Sequence, residues 1–184
     1  MFSFIGQETV PLGVVLERRP SAHPWADHVW RAVAVIPGAA AMDPREGWKE
    51  LHREGESVRF HAGTLTLSLF RRETDGYRLN LAQSPPKVFI VLRRVEGAAE
   101  GQTLRPFHVT ACGMEAQAYS NNSEDVVEPV EMPDALVAWM EDFTARHHIE
   151  EPKHKRKRKP AIDKSAQRQP FEPPADWPPR SGRG

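Results

Sequence analysis

SVRFHAGTLTLSLFR, residues 57–71, is the stretch of this sequence that decides the fold. Its apolar residues recur at every second position, the pattern of a β-strand with one buried face. Before Gly63 the apolar residues occupy even-numbered positions, and after it they occupy odd-numbered positions: Val58, Phe60 and Ala62, then Leu65, Leu67 and Leu69. Because an unbroken strand would expose one of these sets to water, the pattern predicts a β-bulge or sharp bend at Gly63.

The sequence on either side of this strand predicts further strands. Residues 10–18 (VPLGVVLER) alternate, whereas HVWRAVAVIPG (28–38) carries apolar residues on both parities. KVFIVLR (87–93) is continuously apolar, which is typical of a central strand covered on both faces. RPFHVTACGMEAQAY (105–119) predicts one more strand with its apolar side chains inward, at Phe107, Val109 and Ala111.

A turn and two helices complete the predicted order of elements. We expect Thr74-Asp75-Gly76 to be the tight turn of a hairpin, with Tyr77, Leu79 and Leu81 on its return strand. MDPREGWKELHREGE (42–56) predicts a short helix that begins at Asp43 and stops at Gly55. PDALVAWMEDFTARHH (133–148) places apolar residues at helical spacing and predicts a helix over 133–147: Leu136, Trp139, Met140 and Phe143.

These elements predict an α+β fold, a mostly antiparallel sheet or half-open barrel closed by a C-terminal helix. We expect one domain over 1–150 and a disordered, basic, proline-rich tail over 151–184. The tail carries ten Lys/Arg against four Asp/Glu, a charge of +6, while the chain as a whole is neutral, so the body is −6. An acidic body with a basic arm is typical of a protein that binds another molecule.

The residues that could carry chemistry favour structural roles. The single cysteine, Cys112, excludes an internal disulfide and is expected to be a buried thiol. His61 and His108 lie on the non-core parity of their strands, and His147 and His148 suit the negative end of the last helix. We therefore expect no catalytic residue, no cofactor and no metal site. Glu124-Asp125 is expected to be solvated, and Trp25, Trp30 and Trp48 are expected to belong to the core.

The basic run in the tail is the candidate partner-binding site. Its six side chains are Lys153, Lys155, Arg156, Lys157, Arg158 and Lys159. Such a run binds phosphate, anionic lipid or acidic protein electrostatically, or merely solubilises the chain. The start of the chain lacks the features of a secretory signal, and no apolar stretch is long enough to span a bilayer, so we expect a cytoplasmic protein without a membrane span.

The chain resembles a bacterial family, domain-of-unknown-function family 3305. The similar stretches cover nearly all of the body and the start of the tail: VPLGVVLERRPSAHPWADHVWRAVAVIPGA, HAGTLTLSLFRRETDGYRLNLAQSPPKVFIVLRR, VTACGMEAQAY, EPVEMPDALVAWMEDFTARHH and EPKHKRKRKP. Family genes stand beside those for a molybdenum-dependent formate dehydrogenase and its maturation factors, so the resemblance implies an accessory role and supplies no catalytic residue. Where it leads us to expect proline-tyrosine, this chain has Cys112-Gly113-Met114, which argues against an essential thiol.

The sequence thus favours a non-catalytic protein that assists assembly or maturation of a molybdenum-dependent formate dehydrogenase. Its partner would be that molybdoenzyme or one of its maturation factors. The alternative is a nucleic-acid-binding module that uses the basic C-terminal arm.

The tail should be dispensable for folding, because it has few apolar side chains to offset the entropy lost on ordering. A chain that ends at Glu150 is expected to unfold at the same thermal midpoint as the full chain. A midpoint many degrees lower would show that the tail packs on the body.

Overall fold

The computed structural model describes residues 6–22, 27–95 and 102–149. The strands are β1 (Gln7–Pro20), β2 (His28–Pro37), β3 (Lys49–Glu54), β4 (Ser57–Phe70), β5 (Lys87–Arg94), β6 (Leu104–Thr110) and β7 (Asp125–Glu131). The helices are α1 (Thr74–Leu81), α2 (Gly113–Ser120) and α3 (Asp134–His147), and a 3-10 turn (Arg71–Glu73) precedes α1. The expected basic tail over 151–184 lies outside the described residues.

The strands form two antiparallel sheets rather than one. The first has the order β2-β1-β4-β3 and the second β6-β5-β7. The antiparallel prediction is confirmed, but the described residues form no closed barrel. The strands divide into two sheets because the chain leaves the first sheet through the helical segment after β4 instead of a hairpin. Both sheets contribute to one core, which includes Leu12 and Leu16 of β1 and Ile90 and Leu92 of β5.

The bulge predicted in the long strand is present at Gly63. Gly13 pairs with Thr64 and Val15 with His61, so Ala62 and Gly63 together lie opposite a single residue of β1. Gly63 has a φ of +142°, which side-chain-bearing residues rarely adopt. The extra residue exchanges the two faces, and the apolar side chains on both sides of it face the core: Val58, Ala62, Leu67 and Leu69.

The bulge also anchors the segment that follows β2. An added Cβ at Gly63 would lie 2.6 Å from Cγ and 2.8 Å from Cα of Pro44, so only glycine allows this approach. The backbone N–H of Thr64 donates to the carbonyl of Met42 (2.8 Å), and its hydroxyl donates to the carbonyl of Ala40 (2.6 Å). The Trp48 indole N–H also donates to the Pro44 carbonyl. These contacts hold residues 40–44 against β4.

The short helix predicted from Asp43 to Gly55 was wrong. Residues 43–46 form a turn in which the N–H of Glu46 donates to the carbonyl of Asp43, and 49–54 form β3, paired with β4. Gly55, at φ +58°, forms the hairpin turn between them. Pairing with β4 satisfies the backbone hydrogen bonds of β3 without burying its side chains. This charged segment therefore forms a strand rather than a helix.

The hairpin predicted at 74–76 was also wrong, because the segment is helix α1. Tyr77 and Asn80 are buried at helical spacing, while Leu79 is 69% exposed. The Tyr77 hydroxyl accepts the N–H of Phe70, and the Asn80 amide binds both backbone groups of Lys87. Contacts distant in sequence therefore decide the conformation of an Asp-Gly dipeptide that by itself favours a turn.

The C-terminal helix is confirmed as the element that closes the core. Leu136, Met140 and Phe143 are buried, and the Phe143 ring contacts the ring of Tyr77 at 6.3 Å. Trp139 is partly buried and donates its indole N–H to Glu8 of β1 (2.9 Å). No helix in the described ranges is long and apolar enough to cross a membrane.

Gly63→Ala should destabilise the protein by about 2–5 kcal/mol, because it adds both backbone strain and a clash with Pro44. Two glycines provide matched controls in which an added Cβ meets nothing within 4 Å. Gly38, at φ +71°, should show strain alone, at ~1–2 kcal/mol on mutation to Ala. Gly47→Ala, without positive φ, should leave the free energy of unfolding unchanged. Urea unfolding of the three variants measures these differences; a Gly63 variant as stable as the Gly38 variant would contradict the clash.

Candidate anion-binding site

A pocket of about 530 Å³ lies where the end of β5 and the start of β6 meet the loop after β2. Three chain segments line it: 43–45, 93–95 and 105–107. Each segment contributes at least one arginine, namely Arg45, Arg93, Arg94 and Arg105, and Asp43 is the one acidic residue among the lining residues. We call this site the arginine pocket. The body of the chain carries a net charge of −6, so a group of four arginines around one pocket is unusual there.

The register of the second sheet places two of these arginines directly opposite each other. Arg93 of β5 pairs with Arg105 of β6. Like charges at directly opposite positions destabilise an antiparallel pair, so this arrangement works against the fold unless another charge compensates it.

Arg93 has such compensation on its other side. On β7 it meets Asp125, whose fully buried carboxylate accepts two hydrogen bonds from the guanidinium, at 2.8 and 3.1 Å. The hydrogen bond from Arg93 lowers the pKa of Asp125, more than burial raises it, and Asp125 correspondingly raises the pKa of Arg93. The expectation that Asp125 is solvated was therefore wrong, because the sheet register brings it beside Arg93.

The other three arginines lack this compensation. Within the described ranges, Arg45, Arg94 and Arg105 have no ion-pair partner. Asp43 accepts the backbone N–H of Arg45 through Oδ1 at 2.8 Å. The arginine pocket therefore keeps an excess of positive charge.

Phe107 forms an apolar wall of the arginine pocket. Val91 pairs with His108 and Leu92 with Pro106, so Phe107 is the extra residue of a bulge and is 44% exposed. Its predicted inward orientation was wrong, because the bulge removes it from the alternation of β6. The guanidinium carbon of Arg93 lies 3.4 Å from its ring centroid, a cation–π contact that fixes both side chains.

A second cavity, of about 270 Å³, offers no comparable chemistry. It lies beside α2 and is lined by Phe89, Ala116 and Val127 among others, and none of its lining residues is charged. The arginine pocket is therefore the stronger candidate for a functional site.

Cys112 and the strand histidines have local partners. Cys112 is buried, and its Sγ would lie 2.9 Å from a Cβ added to Gly76, as expected of a packed structural thiol. His61 Nε2 lies 3.2 Å from the hydroxyl of Thr64, and His108 Nε2 lies 3.1 Å from a carboxylate oxygen of Glu115. Each imidazole therefore has a polar partner on its own strand or on the helix that follows it.

The two histidines at the end of α3 are held separately. His148 Nε2 lies 2.6 Å from a guanidinium nitrogen of Arg78, and its Nδ1 lies 3.2 Å from the hydroxyl of Thr74. The His147 ring packs on Phe143 with centroids 4.6 Å apart. Across the described residues, no three His, Cys, Asp or Glu side chains are grouped to hold a metal ion.

The remaining sequence predictions divide between core and tail. Trp30 is buried in the core and the partly buried Trp48 packs against it edge to face at 5.1 Å, as predicted, and both contact Phe60. Trp25 lies outside the described residues. The predicted partner-binding residues lie outside the described residues: Lys153, Lys155, Arg156, Lys157, Arg158 and Lys159.

The arginine pocket was missed by sequence reasoning, although part of its signal was present. Arg93 and Arg94 end one strand and Arg105 begins the next, so an antiparallel connection brings them to the same end of the sheet. The contribution of Arg45 had no such signal, because it depends on the docking of its loop on Gly63.

A comparison with protein families identified the family of this chain. The model of the family described as "Protein of unknown function (DUF3305)" matches residues 11–157. Neither the curated proteins nor the solved structures gave a match.

Arg105→Gln should raise the thermal midpoint by roughly 1–3 °C at low salt, because it removes a like charge opposite Arg93. The matched control is Lys87→Gln in the same sheet, since Lys87 lies opposite Glu131 and its loss should lower the midpoint slightly. Both differences should shrink as salt rises. A lower midpoint for Arg105→Gln would show that Arg105 already has a compensating partner.

Proposed function

Since the chain belongs to the DUF3305 family of proteins of unknown function, we propose that it is a cytoplasmic, non-catalytic accessory protein whose arginine pocket receives an anionic group of its partner. The observation that carries this proposal is one pocket lined by four arginines, three of which have no ion-pair partner among the described residues. Retaining mutually repelling charges lowers stability, and a bound anion would offset that loss.

The chemistry of the arginine pocket supports binding rather than proton transfer. A guanidinium stays protonated at physiological pH, so it can hold an anion but cannot act as a general base. The carboxylate of Asp43 is engaged by the N–H of Arg45. Arginine also presents a rigid fork of donors that suits bidentate binding of carboxylate or phosphate.

The identity of the partner is proposed from the family resemblance. It implies a bacterial protein whose partner is a molybdenum-dependent formate dehydrogenase or one of its maturation factors. In this proposal the six basic residues over 153–159 attract the partner electrostatically, and the folded body selects it, because attraction between net charges does not by itself distinguish one anionic partner from another.

The alternative function is a nucleic-acid-binding module. The clustering of six Lys/Arg within residues 153–159 favours it, since such runs bind phosphate backbones without sequence preference. The acidic charge of the body disfavours it. The experiment that identifies the partner also separates the two functions.

The test is capture of partners by the tagged full chain and two variants. Arg94→Glu/Arg105→Glu reverses the charge of the arginine pocket and should abolish capture of the partner. Replacement of the six basic residues by serine should slow association and flatten its salt dependence, while the same partner is still selected.

The matched control is Lys49→Glu/Arg72→Glu, which changes the net charge equally at two exposed positions outside the pocket and should capture normally. Thermal unfolding verifies that each variant is folded. Normal capture by the pocket variant would refute the proposed site. Enrichment of RNA or DNA in place of a protein would establish the alternative.

A further inference from the structure

The charge of the arginine pocket favours a strongly anionic ligand. Four of its lining residues are arginines, and Asp43 is the one carboxylate among them. Two further carboxylates lie beside Arg93: Asp125, which pairs with it, and Glu124, whose charge also raises the pKa of Arg93. A phosphate monoester carries close to two negative charges at neutral pH, so a group of arginines attracts it more strongly than a carboxylate, which carries one.

The origin of the three arginines that have no ion-pair partner within residues 6–22, 27–95 and 102–149 also favours a phosphoryl group. They come from three segments of chain: Arg45 from the loop after β2, Arg94 from β5 and Arg105 from β6. A tetrahedral phosphoryl group presents oxygens in three directions, and each can accept from a separate guanidinium. A planar carboxylate has only two oxygens and is saturated by one or two arginines.

The size and lining of the arginine pocket require more than the phosphoryl group itself. Its volume of about 530 Å³ lies in the range of sites for small organic molecules. Its apolar lining consists of Pro44, Val95, Pro106 and the half-exposed Phe107. Because Arg93 is held by both Asp125 and the Phe107 ring, this wall is formed before a ligand binds.

From these three observations we infer that the arginine pocket binds a phosphate ester of a flat, largely apolar group. The phosphoryl oxygens accept from Arg45, Arg94 and Arg105, and the flat group packs against Phe107 and the two prolines. This inference rests on the proposed function, since it specifies the anionic group that the pocket receives.

Calorimetric titration of the full chain tests the inference with defined probes. The probes are the four ribonucleoside 5′-monophosphates and phosphotyrosine amide, which represent a free organic phosphate and a phosphorylated side chain. Inorganic phosphate, the unphosphorylated nucleosides and a monocarboxylate of similar size serve as controls. At least one phosphate ester should bind about tenfold tighter than every control compound. A preference for the nucleotides assigns a free small molecule, and a preference for phosphotyrosine assigns a modified partner.

Variants locate the binding. Arg105→Gln should weaken the best probe about tenfold or more, and Arg105→Lys should rescue it only in part because lysine lacks the guanidinium fork. Phe107→Ala should reduce the factor by which the best probe binds more tightly than inorganic phosphate. Arg72→Gln, at an exposed arginine outside the arginine pocket, is the matched control and should bind normally.

Three results would overturn the inference: no phosphate ester binds at millimolar concentration, the carboxylate binds as tightly, or Arg105→Gln leaves binding unchanged. The proposed function has a separate readout. Loss of partner capture by Arg94→Glu/Arg105→Glu, without any phosphate-ester binding, would retain the proposed function and reject this inference. Phosphate-ester binding with normal partner capture by Arg94→Glu/Arg105→Glu would retain this inference and reject the proposed function.

Discussion

The close approach of Gly63 to Pro44 is the constraint on which both the core and the candidate site depend. Gly63 adopts a φ of +142° that lets β4 change the face it turns to the core without leaving the sheet. It also provides the space in which Pro44 packs, 2.6 Å from where a Cβ would be. Gly13 of the neighbouring strand has a related role, since its added Cβ would lie 2.8 Å from both Ala39 and His61. A side chain at either position would displace the loop that carries one wall of the arginine pocket.

Three charged residues in one row of the second sheet differ in whether their charge is compensated. Asp125, Arg93 and Arg105 lie side by side across β7, β5 and β6. Asp125 compensates Arg93, and the pair then contributes a fixed guanidinium and a fixed Phe107 ring to the wall of the pocket. Arg105 is left at the rim without a carboxylate among the described residues. This asymmetry, in which one arginine serves the fold and the next is available to a ligand, is the physical basis of the proposed anion site.

Where sequence reasoning was wrong, the deciding contacts came from residues far apart in the chain. Asp75-Gly76 favours a tight turn locally, yet Tyr77 and Asn80 gain hydrogen bonds to Phe70, Lys87 and Ala111 only from a helix. The segment 49–54 has helical propensity, yet the free edge of β4 pairs with it as β3. The alternating pattern of β6 predicts that Phe107 is buried, yet a bulge places it at the surface. Each local preference amounts to ~1 kcal/mol or less, which a few tertiary hydrogen bonds or one strand pairing exceed.

The sequence by itself determined the antiparallel strands, the bulge at Gly63, the buried central strand β5 and the helix α3 that covers the core. These elements follow from hydrophobic periodicity, which can be read from the sequence because burial repeats every two residues in a strand and every 3.6 residues in a helix. Only the tertiary structure decided that the strands divide into two sheets and that Arg45 joins Arg93, Arg94 and Arg105 around one pocket. The reason is that charged surface residues have no periodic constraint, so their grouping depends on strand register and on how a loop docks, which arise only when distant segments pack.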